Sequence, residues 1–181
     1  YKPDEMPLPK SRPGELENKT TYQQLDSQYA HNDPNSYNVA AMTDTEKREV
    51  TAAYYAMIEL IDEGVGRMVS ALEETGQLEN TIVIFMSDHG EMLGDHGIYL
   101  KGPHFYEEAV RVPLVFSWPE HFKGGCQADC LMELVDIVPT LLEVGGIKIP
   151  DAVQGKTLLP ILRGESDSSK HRDYVFSEYY N

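Results

Sequence analysis

The chain has 181 residues, 41% of them apolar, which fits one globular domain with a real core and excludes a disordered or fibrous protein. Fifteen basic against thirty acidic residues give a net charge of −15, so charge repulsion argues against a nucleic acid or an anionic membrane as partner. No run of about eighteen apolar residues is present to span a bilayer, and the Pro-rich start from Tyr1 lacks the zones of a signal peptide, so the chain reads as soluble with its compartment open.

Residues 1–42 carry Pro3, Pro7, Pro9, Pro13 and Pro34 among polar residues and tyrosines without a sustained period, and read as an irregular arm lying on another part of the protein. Thr43 then forms a capping-box pattern with Glu46. Val50, Tyr54, Met57, Ile61, Val65, Met68 and Leu72 follow at spacings of three and four up to Gly76. This predicts an amphipathic helix roughly 45 Å long, with Gly64 and Gly66 marking a slight bend or a close contact.

The short β-branched and aromatic run Thr81–Met86 predicts a strand buried on both faces, and a helix leading into such a strand points to a parallel α/β sheet. A second strand is expected over Val112–Trp118, stopped by Pro119, and a third strand or a helix entry over Gln127–Val135. Asp136 is placed to cap a helix at Ile137–Val144, with Pro139 in its first turn and Gly145-Gly146 at its end. Residues 147–172 read as loop with an apolar turn near Leu158–Leu162, and Tyr174–Ser177 as a last strand. A few apolar strands cannot be covered on both faces by one long and two short helices, so this chain reads as part of a larger, mostly parallel sheet flanked by helices.

Ligands of open α/β sheets bind beyond the carboxyl ends of strands, and Ser87-Asp88-His89-Gly90 stands at such an end. Asp88 offers hard anionic oxygens and His89 an imidazole, a donor pair suited to a divalent ion if the chain turns at Gly90. A polar strand-end turn capped by Asp88 fits the same residues. The repeat Asp95-His96-Gly97 lies between Gly94 and Gly97 and reads either as ligands of a second ion or as a turn held by Asx-type hydrogen bonds from Asp95.

Lys101, flanked by Gly102 and Pro103, presents an ammonium near the metal candidates, or is a solvated surface lysine; an ion and an ammonium around one point would form an oxyanion site. His104 in the same loop can contact substrate or take a surface or stacking role. Arg111 is expected to pair with Glu107 or Glu108 and brace the loop. His31, His121 and His171 lack ligand-spaced neighbours and read as surface residues. Cys126 and Cys130 read as loop thiols or one local bridge.

The blocks TIVIFMSDHGEMLGDHGIYLKG, FYEEAVRVPLVFSWP, VDIVPTLLEVGG and IPDAVQGKTLLPILRG resemble, in order and spacing, the second half of the sulfatase catalytic domain in the alkaline phosphatase superfamily. The helix carrying YYAMIELIDEGVGRMVSALEETGQLENT resembles the one before that strand, so the resemblance covers about residues 45–180. It implies an α/β, alkaline-phosphatase-like fold that is incomplete here. Residues 1–42 would be an arm on the missing N-terminal half, and 43–181 the C-terminal half of the catalytic domain.

The resemblance also implies that Asp88 and His89 hold one divalent cation, Ca²⁺ in most members with Mg²⁺ or Mn²⁺ as alternatives. Lys101 would contact the sulfate and assist the leaving group. The family's nucleophile is a formylglycine made from Cys or Ser in a C/S-x-P/A-S-R pattern, which neither Cys126 nor Cys130 fits. That pattern and the catalytic His would therefore lie in an absent N-terminal part, and the chain alone is expected to be inactive. The implied substrates are small sulfate esters of a sugar, choline or an aryl group. A phosphonate monoester or phosphodiester hydrolase of the same superfamily, or a non-catalytic binding fragment, stands as the alternative.

Overall fold

The computed structural model describes residues 1–30 and 33–179. It divides into two compact units: Tyr1–Ala71 with His89–Pro113, and Leu72–Asp88 with Leu114–Asn181.

In the first unit the arm is less irregular than its prolines imply, because it holds a short helix, α1 (Thr21–Asp26). A capping box starts it: Thr20 accepts from the Gln23 N–H while the Gln23 side chain reaches back to the Thr20 backbone. The Thr20-x-x-Gln23 spacing was visible in the sequence and is the signal that marks this helix. Helix α2 (Asp44–Glu74) begins as expected, with Thr43 and Glu46 exchanging hydrogen bonds of 2.7 Å and 3.3 Å. It runs unbroken through Gly64 and Gly66, neither of which has another atom within 4 Å of where a Cβ would sit. No close contact explains those glycines among the described residues.

Only Thr51 and Ala52 of α2 are buried, whereas Met57, Ile58, Leu60, Ile61 and Met68 are half or more exposed. The core of the unit lies instead in two small clusters built around the loop that follows Gly90. One contains Ala30, Val39 and Tyr99, the other Met92, Ile98 and Ala109.

In the second unit, strands β1 (Val83–Met86) and β2 (Leu114–Ser117) pair antiparallel, with Val83 opposite Ser117 and Met86 opposite Leu114. The parallel arrangement expected from helix-then-strand order is not formed between these two strands. A parallel return requires a crossover, usually helical, packed on the sheet, and the only α-helix between them is the four-residue α3 (Glu107–Val110). With two strands in the pair, Phe85 and Met86 remain exposed and β1 is not buried on both faces.

Helix α4 (Ile137–Val144) falls where predicted and buries Pro139 and Thr140. A short helix α5 (Leu159–Leu162) forms the apolar turn. Of the two readings of Gln127–Val135, the helix entry holds and the third strand does not: residues 127–133 are irregular and lead into a 3-10 turn at Leu134–Asp136 that continues into α4. One expectation fails: Tyr174–Ser177 forms no strand, because no partner strand borders it among the described residues. The latter segment is tied by the Phe176 N–H to Glu133 Oε1 at 2.7 Å.

Asp136 does not cap α4. Its carboxylate is fully buried and accepts from the backbone N–H groups of Glu133 and Lys156, from His171 Nε2 and from Arg172. Burial pushes the Asp136 pKa up, but Arg172, those N–H groups and His171 outweigh it and hold it at about 2. His171 is therefore a core residue rather than the surface residue expected. Its carboxylate partner lies 35 positions away in sequence, which spacing does not reveal.

Candidate functional site

The chain leaves β1 at Met86 and reaches Asp88 two residues later, with Asp88 exposed and His89 half-buried. Asp88 closes a segment of the second unit and His89 opens one of the first. His89 Nδ1 lies 2.8 Å from the Gly90 carbonyl oxygen. A proton on Nδ1 makes that contact a hydrogen bond and leaves Nε2 as the unprotonated nitrogen, the form in which imidazole ligates a metal.

Gly90 is required by close approach rather than by a left-handed turn. Its N–H donates to the Ala109 carbonyl at 2.8 Å, its φ is not in the positive region, and a Cβ there would stand 1.8 Å from the Glu108 carbonyl oxygen.

Beyond Gly90 the chain folds into a tight loop that ends at Lys101. The Met92 N–H reaches Leu100 O, and the Gly94 N–H reaches Ile98 O. Met92, Ile98 and Tyr99 point into the core. Leu93, His96 and Leu100 adopt positive φ of 48°, 57° and 65°, a conformation that non-glycine residues enter only under constraint. Tyr99 is 6% exposed, and its hydroxyl pKa is pushed up to about 12 by burial, with further contributions from the Glu91 and Asp95 carboxylates.

Lys101 emerges exposed at the end of the loop. The chain beyond it is pinned: His104 Nε2 donates to Asp26 Oδ2 at 2.8 Å, and a Cβ at Gly102 would lie 2.7 Å from the His104 ring. The His104 side chain is 2% exposed, with Tyr106 tilted beside it at 6.4 Å. Asp26, which holds it, carried no signal in the sequence, since the two residues are 78 positions apart.

The second Asp-His-Gly triplet anchors the arm. Asp95 Oδ1 accepts the Lys10 N–H at 2.7 Å, so Asp95 makes a long-range tether in place of the local Asx-type bonding expected. His96 donates its backbone N–H to Lys10 O, and its Nδ1 meets Glu15 Oε1 at 2.6 Å while its ring stacks on Tyr106 at 4.1 Å. The hydrogen bond from His96 is the main cause that lowers the Glu15 pKa. The Tyr106 hydroxyl in turn accepts from Gln23 Nε2 of α1 at 2.7 Å.

Among the described residues, no three His, Cys, Asp or Glu side chains gather to hold a metal. Arg111 pairs with Glu107 as expected, at 3.6 Å, but both side chains are exposed, so the pair adds little to holding the loop. Cys126 and Cys130 are free thiols, His121 is exposed and stacks on Trp118, and His31 lies outside the described residues. No helix among the described residues is long and apolar enough to cross a membrane.

The family model named Sulfatase matches residues 18–147. The chain is 43% identical over 135 residues to an arylsulfatase of Clostridium perfringens, covering 73% of this chain and 27% of that protein. It is 32% identical over 176 residues to an N-acetylglucosamine-6-O-sulfatase of Bacteroides thetaiotaomicron, covering 94% and 31%. Among solved structures it is similar to a phosphonate monoester hydrolase from Silicibacter pomeroyi, with a TM-score of 0.81 and 31% identity over 97% of this chain and 34% of that one. The chain thus spans about a third or less of the length of these relatives.

Proposed function

The chain belongs to the sulfatase family, and from that premise we propose that the full-length protein carrying it is a hydrolase of sulfate esters. Its fold class is α/β and alkaline-phosphatase-like, of which this chain contains part. The observation that carries the proposal is the match over residues 18–147, which encloses Asp88, His89 and Lys101 at one strand end and the loop behind it.

Asp88 and His89 supply two ligands of one divalent cation, Ca²⁺ before Mg²⁺ or Mn²⁺, and the remaining ligands come from outside this chain. The donor chemistry fits: an exposed carboxylate, and an imidazole whose Nδ1 faces a carbonyl. When bound, such a cation polarises a sulfate oxygen. Lys101 places its ammonium on the sulfate and the leaving oxygen, where negative charge grows in the transition state, so its interaction is strongest there. His104 secures the chain behind Lys101 through Asp26. The nucleophile, a formylglycine, belongs to a part of the protein outside this chain, and residues 1–181 alone are inactive.

The substrate is a small sulfate ester, and similarity to an N-acetylglucosamine-6-O-sulfatase favours a sulfated sugar. A phosphonate monoester or phosphodiester hydrolase is the second reading, favoured by the structural likeness to a phosphonate monoester hydrolase. Turnover of 4-nitrophenyl sulfate, 4-nitrophenyl phosphate and a phenylphosphonate monoester by the full-length protein separates the two. Asp88→Ala and Lys101→Ala are each expected to lower kcat by about a hundredfold or more. Unchanged turnover in both would sink the site assignment, and no turnover of any ester by the wild type would favour a non-catalytic binding role.

A further inference from the structure

Lys101 stands at the end of a loop whose conformation is costly, so something must hold it. The loop from Met92 to Leu100 contains three non-glycine residues at positive φ, and two of them, Leu93 and Leu100, share one partner. Glu91 Oε1 accepts the Leu93 N–H at 3.1 Å and the Leu100 N–H at 2.6 Å. One carboxylate oxygen thus joins the first left-handed residue of the loop to the last, and the last is the residue bonded directly to Lys101. Hydrogen bonds to an ionised acceptor are about twice as strong as neutral ones, and here they restrain backbone groups that would otherwise relax out of the left-handed region. Glu91 is half-buried, and the hydroxyl pKa values of Tyr54 and Tyr99 are raised first by burial and then by its carboxylate.

We propose that Glu91 is the positioning residue for Lys101: by closing the loop between Leu93 and Leu100 it fixes where the Lys101 ammonium stands. The proposal rests on the reading of Lys101 as the group that meets the sulfate and the leaving oxygen. Glu91 touches no reacting atom; it acts only through the backbone of Leu100. The sequence motif gives no hint of this, because Glu91 sits beside Asp88 and His89 and reads there as one more acidic residue.

The test is steady-state kinetics of the full-length protein on 4-nitrophenyl sulfate and on an alkyl sulfate, whose leaving group is poorer. Four variants are compared: Glu91→Ala, Glu91→Gln, Lys101→Ala and the double variant Glu91→Ala with Lys101→Ala. Glu91→Ala is expected to lower kcat by about tenfold to a hundredfold, since displacing a catalytic group by about 1 Å costs that much. KM should change by less than about threefold, the signature of an interaction made in the transition state. The loss should be larger on the alkyl sulfate, as for Lys101→Ala.

Glu91→Gln keeps the accepting oxygen and should recover most of the loss. In the Lys101→Ala background, Glu91→Ala should cost less than about a further twofold, because the two act as one unit. A Glu91→Ala loss of the same factor in both backgrounds, or no loss at all, overturns the proposal while leaving Lys101 in place. A wild-type kcat in Lys101→Ala overturns the reading of Lys101 and the proposal with it. If Glu91→Ala does not fold, Glu91→Asp, which keeps the charge but shortens the reach, takes its place with the same expectations.

Discussion

Replacing Gly90 by Ala adds a single methyl group beside His89, and its cost can be worked from the geometry. That methyl would stand 1.8 Å from the Glu108 carbonyl oxygen, 2.9 Å from its carbon and 3.3 Å from the Ala109 Cα. Real Cβ atoms essentially never come within 3.0 Å of such neighbours, so the backbone at Glu108 must retreat by about 1.2 Å. The obstacle is backbone and not the flexible tip of a side chain, so rotamer changes cannot relieve it. The retreat also stretches the 2.8 Å hydrogen bond from the Gly90 N–H to the Ala109 carbonyl. Overpacking of this kind costs about 1–3 kcal/mol and a lost backbone hydrogen bond about 1 kcal/mol more, giving about 2–4 kcal/mol in all. Thermal unfolding of the full-length protein is the assay, with Gly124→Ala as the control, since nothing lies within 4 Å of a Cβ at Gly124. Gly90→Ala should lower Tm by several degrees and Gly124→Ala should leave it unchanged. Equal melting temperatures in the two variants would refute the close approach of Gly90 to Glu108.

Two further predictions concern the second unit. Asp136→Asn leaves Arg172 and His171 facing a neutral amide in a buried site and should cost about 3 kcal/mol in denaturant unfolding. The folded Asp136 pKa of about 2 lies below the ordinary 3.8, so its contribution is fully present above about pH 4 and lost as pH falls toward 2. Wild-type stability should therefore decline across that window more steeply than that of Asp136→Asn. Cys126 should be alkylated by iodoacetamide well before Cys130, because Cys126 is exposed while burial raises the Cys130 thiol pKa; mass mapping after a timed exposure at pH 8 reads the order.

The long helix, the strand at the Asp88 turn, the second strand and α4 were all legible, because each rests on a local signal. Thr43 and Glu46 cap α2 within one turn, and β1 is a contiguous β-branched and aromatic run. Helix α1 rests on a box of the same kind, Thr20-x-x-Gln23, but the prolines around it give the arm a stronger irregular signal. Tyr174–Ser177 has strand-like residues, but a strand exists only with a partner, and no described segment supplies one. Sequence shows that a glycine at position 90 permits a turn, while only packing shows that the Glu108 backbone occupies the space of its missing side chain.

By itself, the sequence marked Asp88, His89 and Lys101 as candidate site positions and determined the elements that carry them. Residue type, local period and caps act over a few neighbours along the chain and can be read without folding it. Tertiary structure alone decided what the other polar residues do. It sent Asp95 to Lys10, His96 to Glu15, His104 to Asp26, His171 to Asp136, and both Leu93 and Leu100 to Glu91. Most of these pairs join positions 35 to 85 residues apart, and a buried donor or acceptor must find its partner wherever the fold brings one within about 3 Å. Sequence spacing does not encode that distance.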